Sequence, residues 1–118
     1  IVAAGHGWAA YPVLRERYQF WVYFYPTGNP YLVSAAKLRA ELESVRHRLD
    51  PEGTDLALNE MVFVGHSMGG LITRLLTTDS GEDFWRIVSP DPLDALKLSP
   101  GSRTSLRNTF YFQRQPFI

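Results

Sequence analysis

Apolar positions along the chain follow two periods. Tyr18 to Tyr25 reads Tyr-Gln-Phe-Trp-Val-Tyr-Phe-Tyr, aromatic and β-branched enough to predict a strand near 19–25. Ile1 to Gly5 is a short apolar run ending in glycine and fits a second strand. Met61 to Val64 is a continuous apolar run, the pattern of a strand buried on both faces, and predicts a third near 61–65. Between them the period changes to 3.6. Leu38, Leu42, Val45 and Leu49 line one face of a helix over 34–49, while Lys37, Arg39, Glu41, Glu43, Arg46 and Arg48 cover the rest. Ser34 is placed to cap it, and Asp50-Pro51-Glu52-Gly53 to stop it. Leu71, Ile72, Leu75 and Leu76 share a side of a helix over 68–78. A short helix within 9–17 has Pro12 in its first turn, and Ser99-Pro100 opens another over 101–112. Strands alternating with helices predict an α/β domain with parallel strands.

The third strand and the helix after it are joined by Gly65-His66-Ser67-Met68-Gly69, followed by Gly70. This matches G-x-S-x-G in the strand–turn–helix setting that a nucleophile elbow needs. A serine at so sharp a turn projects its hydroxyl clear of both elements, and the turn is expected to force a positive φ on Ser67. Glycines on either side are expected to remove Cβ atoms that would collide in the bend. The helix start directs N–H groups at charge developing beside the serine. A bare G-x-S-x-G arises by chance in roughly one chain in 25 of this length, so the flanking strand, helix and Gly70 carry the specificity.

Composition narrows the chemistry. The 118 residues hold twelve basic and twelve acidic side chains, which gives no electrostatic reason to expect nucleic acid or an anionic membrane as partner. There is no cysteine, which removes disulfides, thiolate metal sites and cysteine nucleophiles. No apolar run approaches the length of a membrane-spanning helix. No metal or organic cofactor is implied. The aromatic run 18–25 reads first as core packing, with a ligand platform as the alternative.

At Gly65 to Gly70 the chain resembles the α/β-hydrolase superfamily. Arg17-Tyr-Gln-Phe-Trp21, Tyr25-Pro-Thr-Gly-Asn-Pro30, Ser34-Ala-Ala36 and Asp79-Ser-Gly81 are similar to bacterial members described as esterase- or lipase-like, over residues 12 to 118. The resemblance implies a three-layer α/β/α parallel sheet, with the strand at 1–5 between the other two. It implies one domain over 1–118, within which 79–112 has the place of a cap-like helical insertion. It also implies a serine nucleophile with an acid and a histidine, hydrolysing a small-molecule or lipid ester. The superfamily order is Ser, acid, His. Here His6, His47 and His66 all precede Ser67, and Asp79, Glu82, Asp83, Asp91 and Asp94 come before the strand that should carry the acid. Together with an apolar end at Phe110, Tyr111, Phe112, Phe117 and Ile118, this reads as an incomplete fold, with the next strand and the remaining triad members elsewhere.

Within that reading Ser67 is the nucleophile and the Met68 N–H an oxyanion donor. His6-Gly7-Trp8 has the form of the superfamily's oxyanion loop, which makes the Trp8 N–H a second donor. That loop stands unusually close to the Tyr-Gln-Phe-Trp strand, so a coincidental turn is the alternative. His66 is expected to pack at the elbow and His47 to sit in solvent, neither acting as base. The rival functions are acyl transfer through the same serine, and a non-catalytic interaction module that keeps the elbow only as a turn.

Overall fold

The computed structural model describes residues 1–3 and 11–118. In order they form β1 (Val2–Ala3), α1 (Pro12–Arg17), β2 (Trp21–Val22), α2 (Tyr31–Leu49), α3 (Leu56–Asn59), α4 (Met68–Leu76), α5 (Asp83–Val88), a 3-10 turn at Leu93–Ala95, and α6 (Pro100–Phe110). The molecule is mainly helical. Its one described sheet has two strands, β1 antiparallel to β2, with Val2 opposite Val22 and Ala3 opposite Trp21.

The expected three-layer parallel α/β/α sheet is therefore corrected. The N-terminal strand is not central: among the described residues it pairs with one neighbour, and the pairing is antiparallel. Residues 61–66 form no strand, although the pleat is legible in their burial. Met61 and Phe63 are half-buried, whereas Val62 is 71% and Val64 90% exposed. The expectation of burial on both faces fails with the sheet. An extended segment becomes a strand only through a neighbour's ladder. Here Met61 N–H donates to the Phe117 carbonyl at 2.7 Å, and no further backbone hydrogen bond joins 61–66 to another described strand.

Helix prediction fares better, because helical hydrogen bonds are local. α1 has Pro12 at its start, and α6 is capped by Ser99, whose hydroxyl accepts from the Ser102 N–H. α2 begins at Tyr31 rather than 34, after Pro30. Ser34 is thus no cap: it lies inside the helix, 1% exposed, with no hydrogen-bond partner for its hydroxyl among the described residues. α2 turns Leu38 and Leu42 inward but leaves Leu49 62% exposed. One helix lay outside the sequence reading, α3, capped by the Asp55 carboxylate on Ala57 N–H, while α5 falls within the stretch 79–112 given as a helical insertion without bounds for its helices.

The core is a helix pair. α2 and α4 contribute Ala35, Leu38, Leu42, Ile72, Leu75 and Leu76, and Leu71 is left outside. Phe112 and Phe117 complete this cluster, so the apolar C-terminal stretch folds back onto the helix pair. Arg39 covers the Phe112 ring and Arg46 the Phe117 ring, each about 4 Å from the centroid, where a cation gains from the π face. Burial without an acidic partner lowers the Arg39 guanidinium to about 10. The return path is fixed at Ser80, 2% exposed. Its N–H and hydroxyl both bond the Phe112 carbonyl, and its hydroxyl accepts from the Phe112 N–H. Trp85 and Leu93 are buried outside the core cluster. There the indole N–H donates to the Asp91 carbonyl and the ring meets Phe110 and Tyr111.

Candidate active site

The site is built where the extended segment 61–66 turns into α4. Ser67 is the N-cap of that helix with φ 54° and ψ −124°, and among the described residues it is the one non-glycine with positive φ. That conformation places the Cβ of an L-residue in steric conflict and costs of order 1–3 kcal/mol. A serine at an ordinary N-cap sits in extended backbone and folds its hydroxyl onto the N–H groups of the first turn. Ser67 does neither: its side chain caps nothing and the residue is exposed. The local sequence thus gives up a cap and accepts strain in order to present a hydroxyl to solvent.

Close packing across the turn maintains the bend. A Cβ on Gly65 would lie 2.6 Å from both the Gly69 carbonyl carbon and Thr73 Oγ1, a distance that real Cβ atoms do not adopt. Gly65 is thus fixed by contact with the α4 backbone. Thr73 contributes by donating from Oγ1 to the Gly69 carbonyl at 2.8 Å. The expectation that glycines on both sides are sterically required is corrected. A Cβ on Gly69 would stand 3.7 Å from Tyr25 Oη, and one on Gly70 3.7 Å from the Gly65 carbonyl oxygen, both ordinary contacts. The reason is geometric. The incoming segment crosses directly under α4 at Gly65, whereas Gly69 and Gly70 are already on the helix, where Cβ atoms point outward.

The amides of the first turn are unequal. Gly69 N–H donates to the His66 carbonyl and Gly70 N–H to the Ser67 carbonyl, both at 2.9 Å, while no described acceptor takes the Met68 N–H. It is one of the unsatisfied donors that every helix start presents, and it stands beside the serine. The sequence-predicted residues Gly65, His66, Ser67, Met68, Gly69 and Gly70 are therefore contiguous at one turn.

Among the described residues no histidine or acidic side chain hydrogen-bonds to Ser67. His6, Gly7 and Trp8 lie outside the described residues. His47 is exposed on α2, and His66 is exposed with no hydrogen bond to Ser67. Three of the acids after Ser67 are occupied elsewhere: Asp79 with Arg114, Glu82 with Arg86, and Asp94 with Arg103 and Arg107. Hydrogen bonds from the Arg114 side chain and backbone hold the Asp79 carboxyl below the usual carboxylate range. That pair ties the end of α4 to the C-terminal stretch. Among the described residues no group of histidine and acidic side chains is arranged to hold a metal, and no helix is long and apolar enough to cross a membrane.

Two residues near the turn were not singled out by sequence reasoning. Thr73 stands four residues after Gly69, and its spacing carries a signal only once the helix is known. Tyr25 belongs to the aromatic run, where nothing distinguishes it from its neighbours. Its hydroxyl lies against the first turn of α4. No protein-family model, curated protein or solved structure matches the chain.

Proposed function

We propose that this chain carries the nucleophile of a serine hydrolase acting on a carboxylic ester, small-molecule or lipid, with Ser67 as nucleophile and the Met68 N–H as oxyanion donor. The observation supporting the reading is the positive φ of Ser67 at the centre of Gly65-His66-Ser67-Met68-Gly69, with the hydroxyl exposed and uncommitted to capping. Backbone strain at a non-glycine residue persists only where its surroundings enforce it, and such positions cluster at sites of chemistry.

In the reaction Ser67 Oγ bonds to the acyl carbon while the carbonyl π electrons move onto oxygen. The hydroxyl proton passes to a general base of imidazole type. Collapse of the intermediate expels the alcohol, which takes up that proton, and water repeats the sequence on the acyl-serine. Neither His47 nor His66 bonds to Ser67, so the base is assigned to neither. The Met68 N–H, already oriented and unspent, stabilises the oxygen where negative charge develops.

The test is a fluorophosphonate probe on the native gene product, read by mass spectrometry of the Ser67 peptide. The expected result is an adduct on Ser67 that is absent in Ser67→Ala, with ester turnover lost in the same variant. Normal turnover in Ser67→Ala, or no adduct on Ser67, overturns the reading and leaves the elbow as a structural turn.

A further inference from the structure

Tyr25 lies between β2 and α2 on a segment bound tightly to the helix pair. The adjacent Tyr23 donates its hydroxyl to the Ser34 carbonyl inside α2 at 3.0 Å, which anchors that side chain. Burial raises the Tyr23 phenol, reinforced by Glu41 and then Tyr25, so it keeps its proton and its role as donor. The two rings stack, with centroids 5.3 Å apart and planes 27° from parallel. Tyr25 is half-buried against the core cluster. Its ring is thus held from one side by an anchored aromatic and from the other by the core.

The position of its hydroxyl follows from helix geometry. Cα–Cβ bonds in a helix tilt toward the N-terminus. The Cβ position of Gly69 therefore points back toward the elbow, and Tyr25 Oη lies 3.7 Å from it. The phenol stands beside the first turn of α4, the turn that begins at Ser67 and Met68. Its oxygen has no hydrogen-bond partner among the described residues, although a half-buried tyrosine hydroxyl ordinarily finds one. Gly69 leaves the hydroxyl free of side-chain contact on that face, where a Cβ would stand at ordinary van der Waals distance from it.

We infer that Tyr25 is a catalytic residue of this site, its hydroxyl donating a hydrogen bond to the acyl oxygen as that oxygen becomes negative. The inference rests on the assignment of Ser67 as nucleophile. Two donors then converge on one oxygen: the Met68 N–H from the backbone and the Tyr25 O–H from a side chain held by stacking. The phenol keeps its proton throughout, and no bond to Tyr25 forms or breaks. Preorganised donors of this kind act because they are already oriented when charge develops.

The test is Tyr25→Phe in the native protein, which removes one oxygen and retains the ring that stacks on Tyr23. The fluorophosphonate labelling rate at Ser67 and the ester kcat and KM are measured for both forms, together with the thermal midpoint. Loss of one oxyanion donor typically costs about 10²–10³-fold in kcat. A fall of at least tenfold in kcat and in labelling rate, with KM and the midpoint nearly unchanged, supports the role. Restoring a donor by Tyr25→His should return part of the lost rate. Labelling and kcat unchanged in Tyr25→Phe, with Ser67 still reactive, overturn this inference and leave the nucleophile assignment intact. An unreactive Ser67 in the unsubstituted protein overturns both.

Discussion

The glycines around the candidate nucleophile are not equivalent. Gly65 touches the α4 backbone so closely that a methyl group there has to displace the Gly69 carbonyl or Thr73. Gly65→Ala is expected to destabilise the protein by about 2–3 kcal/mol, the upper part of the range for overpacking. Gly69→Ala meets only the Tyr25 hydroxyl at contact distance and gains helix propensity. It should leave stability equal or slightly higher while reducing the Ser67 labelling rate through the space it fills. Urea midpoints of the two variants check the first expectation, and probe kinetics the second. Equal destabilisation by both would show that the turn is crowded at Gly69 as well.

At the scale of elements, one short connection holds the C-terminal stretch against the helix pair. Asp79 accepts from Arg114 N–H and Nε at 2.8 Å each, and Ser80 bonds Phe112 through both backbone and side chain. Asp79-Ser80-Gly81 thus serves as a clamp that seats Phe112 under Arg39. The Asp79 carboxyl is held below its ordinary range, first by the Arg114 side chain and then by its N–H. A depressed folded value contributes stability that is fully present above the unfolded value, about 3.9, and lost as pH falls through the folded value. Asp79→Asn should therefore lower the thermal midpoint at pH 7, and the gap from the unsubstituted protein should close as pH falls through the depressed folded value. Melts across that range check it. A gap that is constant with pH would mean that the carboxylate charge contributes nothing.

The whole molecule exposes more surface than a compact chain of its size. Its accessible area is 8576 Å², against about 6500 Å² for a compact monomer of this mass. Its radius of gyration is 16.5 Å, against about 13.5 Å for a compact chain of this length. Part of that surface is apolar: Phe24 is 74%, Val62 71% and Val64 90% exposed. The 118-residue chain is expected to bind the dye ANS, and Val62→Lys with Val64→Lys to reduce that signal with little change in midpoint. Undiminished dye binding in the double variant would place the accessible apolar surface elsewhere. The same chain should hydrolyse p-nitrophenyl esters no faster than background. No described histidine or free acid reaches Ser67, and removing the base costs about 10⁴–10⁶ in kcat in serine hydrolases. Turnover that disappears in Ser67→Ala would show that a histidine of this chain reaches the serine, and His6 is the first to substitute.

What the sequence determined by itself is local. The start of α1 at Pro12, the Ser99 cap of α6, the apolar face of α4 and the positive φ of Ser67 all depend on residues within a turn or two of one another. The helix is closed by its own hydrogen bonds, and the elbow by the length of the bend. Sheet order was not local. Met61 to Val64 reads as a strand buried on both faces, yet a strand needs a neighbour, and among the described residues the tertiary structure supplies the Phe117 carbonyl alone, leaving Val62 and Val64 exposed. Tertiary structure also decided that Ser34 is buried inside a helix begun by Pro30, that Phe112 and Phe117 close the core, and that the Tyr25 hydroxyl lies beside Gly69. Tyr25 and Gly69 are 44 positions apart. No periodicity along the chain encodes such a contact, because it is set by how α2, α4 and the segment between β2 and α2 pack in space.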